Sequence, residues 1–218
     1  MLHLEIKSQK GYLYSGTILK NKEQNYILTS SSTSSDPIKI FDFKGNQINE
    51  IKNSNYITFI LDTYYDNYYK KNYIIIGNEG NAISYDFDEN KIYNKYYEIV
   101  DNYCHFSILI ENIDELIKLI ESSKEGIIRI WNFHNGELLN KIKVINNAIF
   151  SICLWNNNYL FVGCEDKTMK LVNINNGEIN KSLSGHKEEV VTIRKINHPN
   201  YGECLISFGG DIILWAKK

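Results

Sequence analysis

Ile128-Arg129-Ile130-Trp131-Asn132 alternates apolar and polar side chains and ends on a large aromatic followed by a turn residue, the pattern of a short strand. Four other segments share this form: Ile38-Lys39-Ile40-Phe41-Asp42, Ala82-Ile83-Ser84-Tyr85-Asp86, Lys170-Leu171-Val172-Asn173 and Ile213-Leu214-Trp215-Ala216. Asp or Asn follows the key position in four of the five. The key positions are 41, 85, 131, 172 and 215, so the motif recurs every 41–46 residues. Five matches at a near-constant period mark a repeat architecture.

The flanking sequence repeats in step. Gly45, Gly136 and Gly177 close a turn after the key position, and Asn90 takes that place in the second unit. Both residue types tolerate the positive φ of a tight hairpin. An alternating strand follows each turn, as in Gln47-Ile48-Asn49-Glu50-Ile51 and Leu138-Leu139-Asn140-Lys141-Ile142. Next come apolar stretches centred on Ser or Thr: Ile57-Thr58-Phe59, Phe106-Ser107-Ile108, Phe150-Ser151-Ile152 and Val191-Thr192-Ile193, with Tyr14-Ser15 at the start. A polar loop then leads to a second apolar run such as Tyr73-Ile74-Ile75-Ile76-Gly77 or Tyr159-Leu160-Phe161-Val162-Gly163. Each unit therefore reads as four short antiparallel strands. The segment Ile113–Glu121 also has near-helical apolar spacing, but the repeat frame makes it a loop at 112–115 and a strand from Leu116.

Four strands per repeat of this length is the blade signature of a β-propeller, and the sequence resembles the WD-repeat family over almost its whole length. The last unit carries the best family features: Gly185-His186, Ser207, Asp211 and Trp215. The resemblance implies that His186 bridges Asp211 and Ser207, that the Trp215 indole bonds the serine, and that this set stabilises the fold without performing chemistry. Departures are visible. Asp211 precedes its Trp by four residues, where Asp166 precedes Val172 by six. Val162 and Val172 replace the Ser and Trp of the fourth unit, and Glu125 and Glu79 stand at the Asp position of the third and second.

The 218 residues divide into five units treated as one domain, and the chain stops three residues after the last key position. Leu4-Glu5-Ile6-Lys7-Ser8 resembles the fourth strands and is a candidate to complete the last blade. A closed five-bladed ring is self-consistent, but the family's usual seven blades favour an incomplete or open array, finished by another chain or left with exposed edges.

Composition narrows the function classes. A net charge of −2 argues against nonspecific nucleic-acid binding. The Asn-, Ile-, Lys- and Tyr-rich makeup, with Arg129 and Arg194 the only arginines, is background composition. No basic start leads into an apolar run, and no apolar run approaches a membrane span, so neither a signal peptide nor a membrane role is expected. Cys104, Cys153, Cys164 and Cys204 form no metal or redox spacing and read as core residues in a reducing cytoplasm.

No Gly-x-Ser-x-Gly, Walker loop or His-Glu-x-x-His occurs, and no cofactor, metal or catalytic residue is expected. His105 and His198 are isolated, and His198-Pro199-Asn200 reads as a turn. Asp62 and Glu111 are read as solvated loop carboxylates near strand ends, and the Tyr64–Tyr69 stretch with Lys70-Lys71 as a solvated insertion. The expected role is a non-enzymatic platform binding protein partners through face loops. By resemblance its partner face includes Lys124, Glu165, Lys167, Lys187 and Glu188. The alternative is a five-bladed lectin or glycosidase, which would need carboxylates converging where the innermost strands meet.

Overall fold

The computed structural model describes residues 5–6, 10–33, 35–52, 58–78, 80–98 and 105–216. Leu4, Lys7, Ser8, Ile57, Glu79 and Cys104 lie outside the described residues. The described residues contain no helix, and their nineteen strands form five antiparallel sheets. The chain divides into two compact units.

Unit one spans Met1–His105. Its first sheet is β1 (Leu13–Lys20), β2 (Asn25–Ser31), β3 (Ile38–Asp42) and β4 (Gln47–Ile51); its second is β5 (Thr58–Asp66), β6 (Lys71–Asn78), β7 (Ala82–Asp86) and β8 (Lys91–Tyr96). Unit two spans Phe106–Lys218. It holds β9 (His105–Ile113), β10 (Leu116–Ser123), β11 (Ile127–Asn132) and β12 (Leu138–Lys143), then β13 (Ile149–Asn156), β14 (Tyr159–Cys164), β15 (Thr168–Asn173) and β16 (Ile179–Ser184). Its last sheet is β17 (Thr192–His198), β18 (Gly202–Phe208) and β19 (Ile212–Trp215). Strand order within every sheet follows the chain, so neighbours are joined by hairpins.

The apolar runs of the second strands follow from burial on both faces. In unit one, Ile74 and Ile76 of β6 join Leu19, Leu28, Ile38 and Ile40 in the core between its two sheets, while Tyr73 and Ile75 are buried as well. In unit two, one core runs between the sheets β9–β12 and β13–β16 through Ile120, Ile130, Ile142, Leu160 and Val172. A second joins β13–β16 to β17–β19 through Phe161, Met169, Ile193 and Leu205.

The Asp or Asn after the first four key positions has a physical cause. Its carboxylate or amide oxygen accepts N–H groups of the following turn: Asp42 from Lys44 (2.9 Å) and Asn46 (2.8 Å), Asp86 from Asp88 (3.0 Å) and Glu89 (2.9 Å). Asn132 accepts from His134 (3.0 Å), and Asn173 from Asn175 (2.9 Å). An Asx turn of this kind fixes the hairpin from its first residue. Gly45, Gly136 and Gly177 adopt φ of 87°, 74° and 76°, and Asn90 55°, as the turn reading requires.

The Ser or Thr at the centre of the first strands also has a task. Ser15 Oγ accepts the Leu61 N–H (3.2 Å), and Ser151 Oγ accepts the Ile193 N–H (3.0 Å). Each bond ties one sheet's first strand to the next sheet's, within unit one and unit two respectively.

Residues 114–115 form a turn with positive φ and Leu116 opens β10, so the near-helical pattern there is a strand. Two readings need correction. Asp62 lies inside β5 and Glu111 inside β9, so neither is a loop carboxylate. The Tyr64–Tyr69 stretch is no insertion: β5 continues to Asp66 and β6 starts at Lys71, leaving a four-residue turn. The fifth unit shows three strands among the described residues, and of the Leu4–Ser8 segment offered to complete it, Leu4, Lys7 and Ser8 lie outside the described residues.

Candidate functional site

Two features of unit two gather the residues singled out by sequence. The first is a hydrogen-bonded chain in the last sheet. His186 Nδ1 lies 2.7 Å from Asp211 Oδ1, His186 Nε2 lies 2.6 Å from Ser207 Oγ, and the Trp215 indole donates to Ser207 Oγ at 2.7 Å. Roles follow from the donor inventory. An indole only donates, so the serine oxygen accepts from Trp215. The Asp211 carboxylate only accepts, so His186 Nδ1 donates to it, and in the tautomer with its hydrogen on Nδ1 the ring's Nε2 accepts from the Ser207 hydroxyl.

Serine, histidine and aspartate in this order resemble a hydrolytic triad, but the environment directs the set to another purpose. Ser207 is fully buried, and its oxygen already accepts the indole N–H. A nucleophile needs an accessible oxygen with its partner base facing substrate. The set instead links the loop before β17 to the β18–β19 hairpin. Gly209 keeps the approach close: a Cβ there would lie 3.0 Å from the His186 ring and from the carbonyls of Glu188 and Glu189.

The other sheets use substitutes that the sequence reading passed over. Trp131 Nε1 donates to Glu121 at 3.1 Å, so Glu121 does for Trp131 what Ser207 does for Trp215. Both pairs occupy the same register, since Glu121 faces Arg129 and Ser207 faces Ile213. Trp131 and Glu121 are ten residues apart and Trp215 and Ser207 eight, because the last hairpin is two residues shorter. The same shortening explains the four-residue interval from Asp211 to Trp215. A fixed-spacing search misses Glu121; strand pairing finds it.

In two units the acid, in the turn just before the third strand, pairs with a lysine of that strand: Asp166 with Lys170 (3.0 Å) and Asp36 with Lys39 (3.2 Å). Burial alone would raise the pKa of both carboxyls. Thr168 and Lys170 outweigh it at Asp166, and the Lys10 amide with Lys39 outweighs it at Asp36, so both sit below the ordinary aspartate value.

The second feature is the rim of loops at one end of these sheets. Val144 N–H donates to Gly126 C=O (3.0 Å), Glu165 N–H to Ala148 C=O (3.0 Å), Val190 N–H to Cys164 C=O (3.1 Å) and Glu188 N–H to Gly209 C=O (3.1 Å). Gly126 and Cys164 are thereby tied to the loops entering the next sheet, and Glu165 and Gly209 to the loops entering their own. Lys124, Glu165, Lys167, Lys187 and Glu188 are exposed on these loops. Two are partly committed to the scaffold: Glu165 accepts the Ala148 N–H (2.9 Å), and the Lys167 ammonium donates to the Lys187 carbonyl (2.7 Å). Lys124, Lys187 and Glu188 present side chains on a frame whose backbone is fixed.

Among the described residues, no group of three His, Cys, Asp or Glu is placed to hold a metal ion, and no helix is long and apolar enough to cross a membrane. Cys153, Cys164 and Cys204 are free thiols, and burial pushes the Cys164 thiol up to about 11. In the Tyr64–Tyr69 hairpin, Tyr68 and Tyr69 are exposed and meet edge to face at 4.9 Å. Lys71 is neutralised there by Asp86 (2.8 Å) and Glu89. Hydrogen bonds from Lys71 and Lys91 draw the Glu89 carboxyl down to about 2.

No protein-family model matches the chain. The chain is 22% identical over 111 residues to the U3 small nucleolar RNA-associated protein 21 homolog of Schizosaccharomyces pombe, covering 50% of this chain and 12% of that protein. Among solved structures, the computationally designed Ika4 protein superposes with a TM-score of 0.53 at 17% identity, over 67% of this chain and 86% of that one. The second likeness concerns the fold alone.

Proposed function

We propose that the chain is a non-enzymatic protein-interaction platform of the WD-repeat type, its five sheets being blades of one propeller array. The observation that carries the reading is the rim: exposed Lys124, Lys187 and Glu188 stand on loops whose backbones are tied sheet to sheet. Recognition concentrates on loops held by a rigid scaffold. The weak similarity to a much longer protein supports the same class. Because that relative's name links it to RNA, recovery of RNA rather than protein is the outcome that would displace this reading. Affinity purification from the native cell with mass spectrometry tests it directly. Reversing Lys167 and Lys187 together to Glu is expected to release the partner, and an unchanged pull-down would remove this face from consideration.

The array is proposed to be open, or finished by another chain, in preference to a closed ring. A protease-resistant monomer in solution would count against it. The proposed compartment is the cytoplasm, with no membrane contact, and fluorescence localisation of the tagged chain checks it.

The carbohydrate-binding alternative has one observation in its favour: burial raises the pKa of Glu111 within the first strand of its sheet, as a general acid requires. Glycan turnover or glycan-array binding lost on Glu111→Gln or Asp62→Asn would establish it.

A further inference from the structure

The sequence holds two Asn-Gly dipeptides, Asn135-Gly136 and Asn176-Gly177, in the turns that follow β11 and β15. Such a dipeptide carries a chemistry of its own. With no side chain on the glycine, its backbone nitrogen can approach the Asn side-chain carbonyl carbon. Attack at Cγ forms a succinimide and expels ammonia, and water then opens the ring to aspartate or isoaspartate. The net change replaces the amide NH2 by OH, with water as the co-reactant. Asn135 and Asn176 are both exposed, so water reaches them.

The fold holds both dipeptides by the same set of hydrogen bonds. The Gly136 N–H donates to the Asn132 carbonyl (3.0 Å) and the Gly177 N–H to the Asn173 carbonyl (2.8 Å), so each attacking nitrogen has its proton engaged. The Asn135 N–H donates to Asn132 Oδ1 (3.3 Å), and the Asn176 N–H to Asn173 Oδ1 (3.4 Å). Asn135 Oδ1 accepts the Glu137 N–H (2.9 Å), and its Nδ2 donates to the Glu137 carboxylate (3.4 Å). Asn176 makes the same pair of bonds with Glu178, at 3.0 and 3.4 Å. The second turn has a further clasp from the neighbouring sheet. Asn140 Nδ2 of β12 donates to the carbonyls of Ile174 (2.9 Å) and Asn175 (3.3 Å).

We propose that Asn135 and Asn176 are deamidation sites gated by the opening of their hairpin turns. In the closed turn the glycine N–H stays bonded and the Asn side chain is held, which suppresses ring closure. A turn that opens locally releases both groups. The product then resists reclosing. Aspartate at either position loses the Nδ2 donor and sets a second carboxylate against Glu137 or Glu178, where like charges repel. Isoaspartate lengthens the backbone by a methylene group inside a turn whose glycine sits at φ 74° or 76°. Both sites lie in unit two, so that unit carries a covalent record of how often these hairpins open.

The test is incubation of the full chain at neutral pH, with deamidation at each site followed by peptide mass spectrometry. The native chain is expected to react at least tenfold more slowly at both sites, as an order of magnitude (~10), than the chain held unfolded in guanidinium chloride. That comparison needs no variant. Asn132→Ala is expected to speed the reaction at Asn135 roughly fivefold and to leave Asn176 unchanged. Asn140→Ala is expected to do the same at Asn176 and to leave Asn135 unchanged. A general loss of stability would move both sites together, and circular dichroism checks that both variants remain folded. Equal rates in the native and unfolded chains, or variants that speed both sites alike, overturn the gating. Asn135→Asp installs the product directly and is expected to lower the urea midpoint read by tryptophan fluorescence. An unchanged midpoint overturns the resistance to reclosing.

Discussion

Ser207 is the residue on which the last sheet's polar set depends. It accepts from Trp215 and donates to His186, so Ser207→Ala leaves an indole N–H and an imidazole nitrogen unpaired in a buried place. The expected loss is about 1–3 kcal/mol in urea unfolding. A change within about 0.5 kcal/mol would show that the set does not hold the fold. Acid sensitivity is written at Asp36 and Asp166. Their folded pKa values lie below the ordinary 3.8. Their stabilisation is therefore complete above that value and is lost as pH falls through the lowered folded value. Asp166→Asn should flatten the decline in stability below about pH 4; an unaltered acid profile would discount the Lys170 pair. The His, Ser, Asp and Trp of the last unit were legible in sequence because they match a known pattern. Glu121 was not, because it takes the register position of Ser207 while its chemistry and spacing differ.

At the scale of the element, the hairpin turns carry the repeat. The positions of the third strands were readable from the key residue and its following Asp or Asn, since one side chain both ends the strand and caps the turn. Strand ends were harder to read. Aspartates and tyrosines occur in turns as readily as in long, partly exposed strands, so Asp62 and the Tyr64–Tyr69 stretch gave no local sign that β5 extends to Asp66. The contact between a turn and the next sheet's entering loop was invisible, because it is made by backbone. Gly163 tests it: a Cβ there would stand 2.4 Å from the Val190 carbonyl oxygen, which itself belongs to the stitched rim. Gly163→Ala should cost about 1–3 kcal/mol as the loop is pushed away. Gly16→Ala is the control, because its Cβ would meet only the Leu28 carbonyl at 3.4 Å, an ordinary contact. Equal melting of the two variants would mean that the rim yields without cost.

At the scale of the whole molecule, each compact unit carries a core of its own. The cluster around Leu28, Ile40 and Ile74 lies wholly within Met1–His105, and those around Ile130 and Phe161 lie wholly within Phe106–Lys218. A cooperative unit is one whose buried contacts are mutually dependent, so these two are expected to unfold separately. The tryptophans make this measurable. Trp131, Trp155 and Trp215 all belong to unit two, while sheets in both units contribute to the far-ultraviolet signal. Urea unfolding followed by tryptophan fluorescence should report unit two alone, and circular dichroism should add a second transition with a different midpoint. Ser207→Ala should then move the fluorescence midpoint and leave the other transition in place. Coincident curves, shifted together by Ser207→Ala, would mean that the 218 residues fold as one cooperative body.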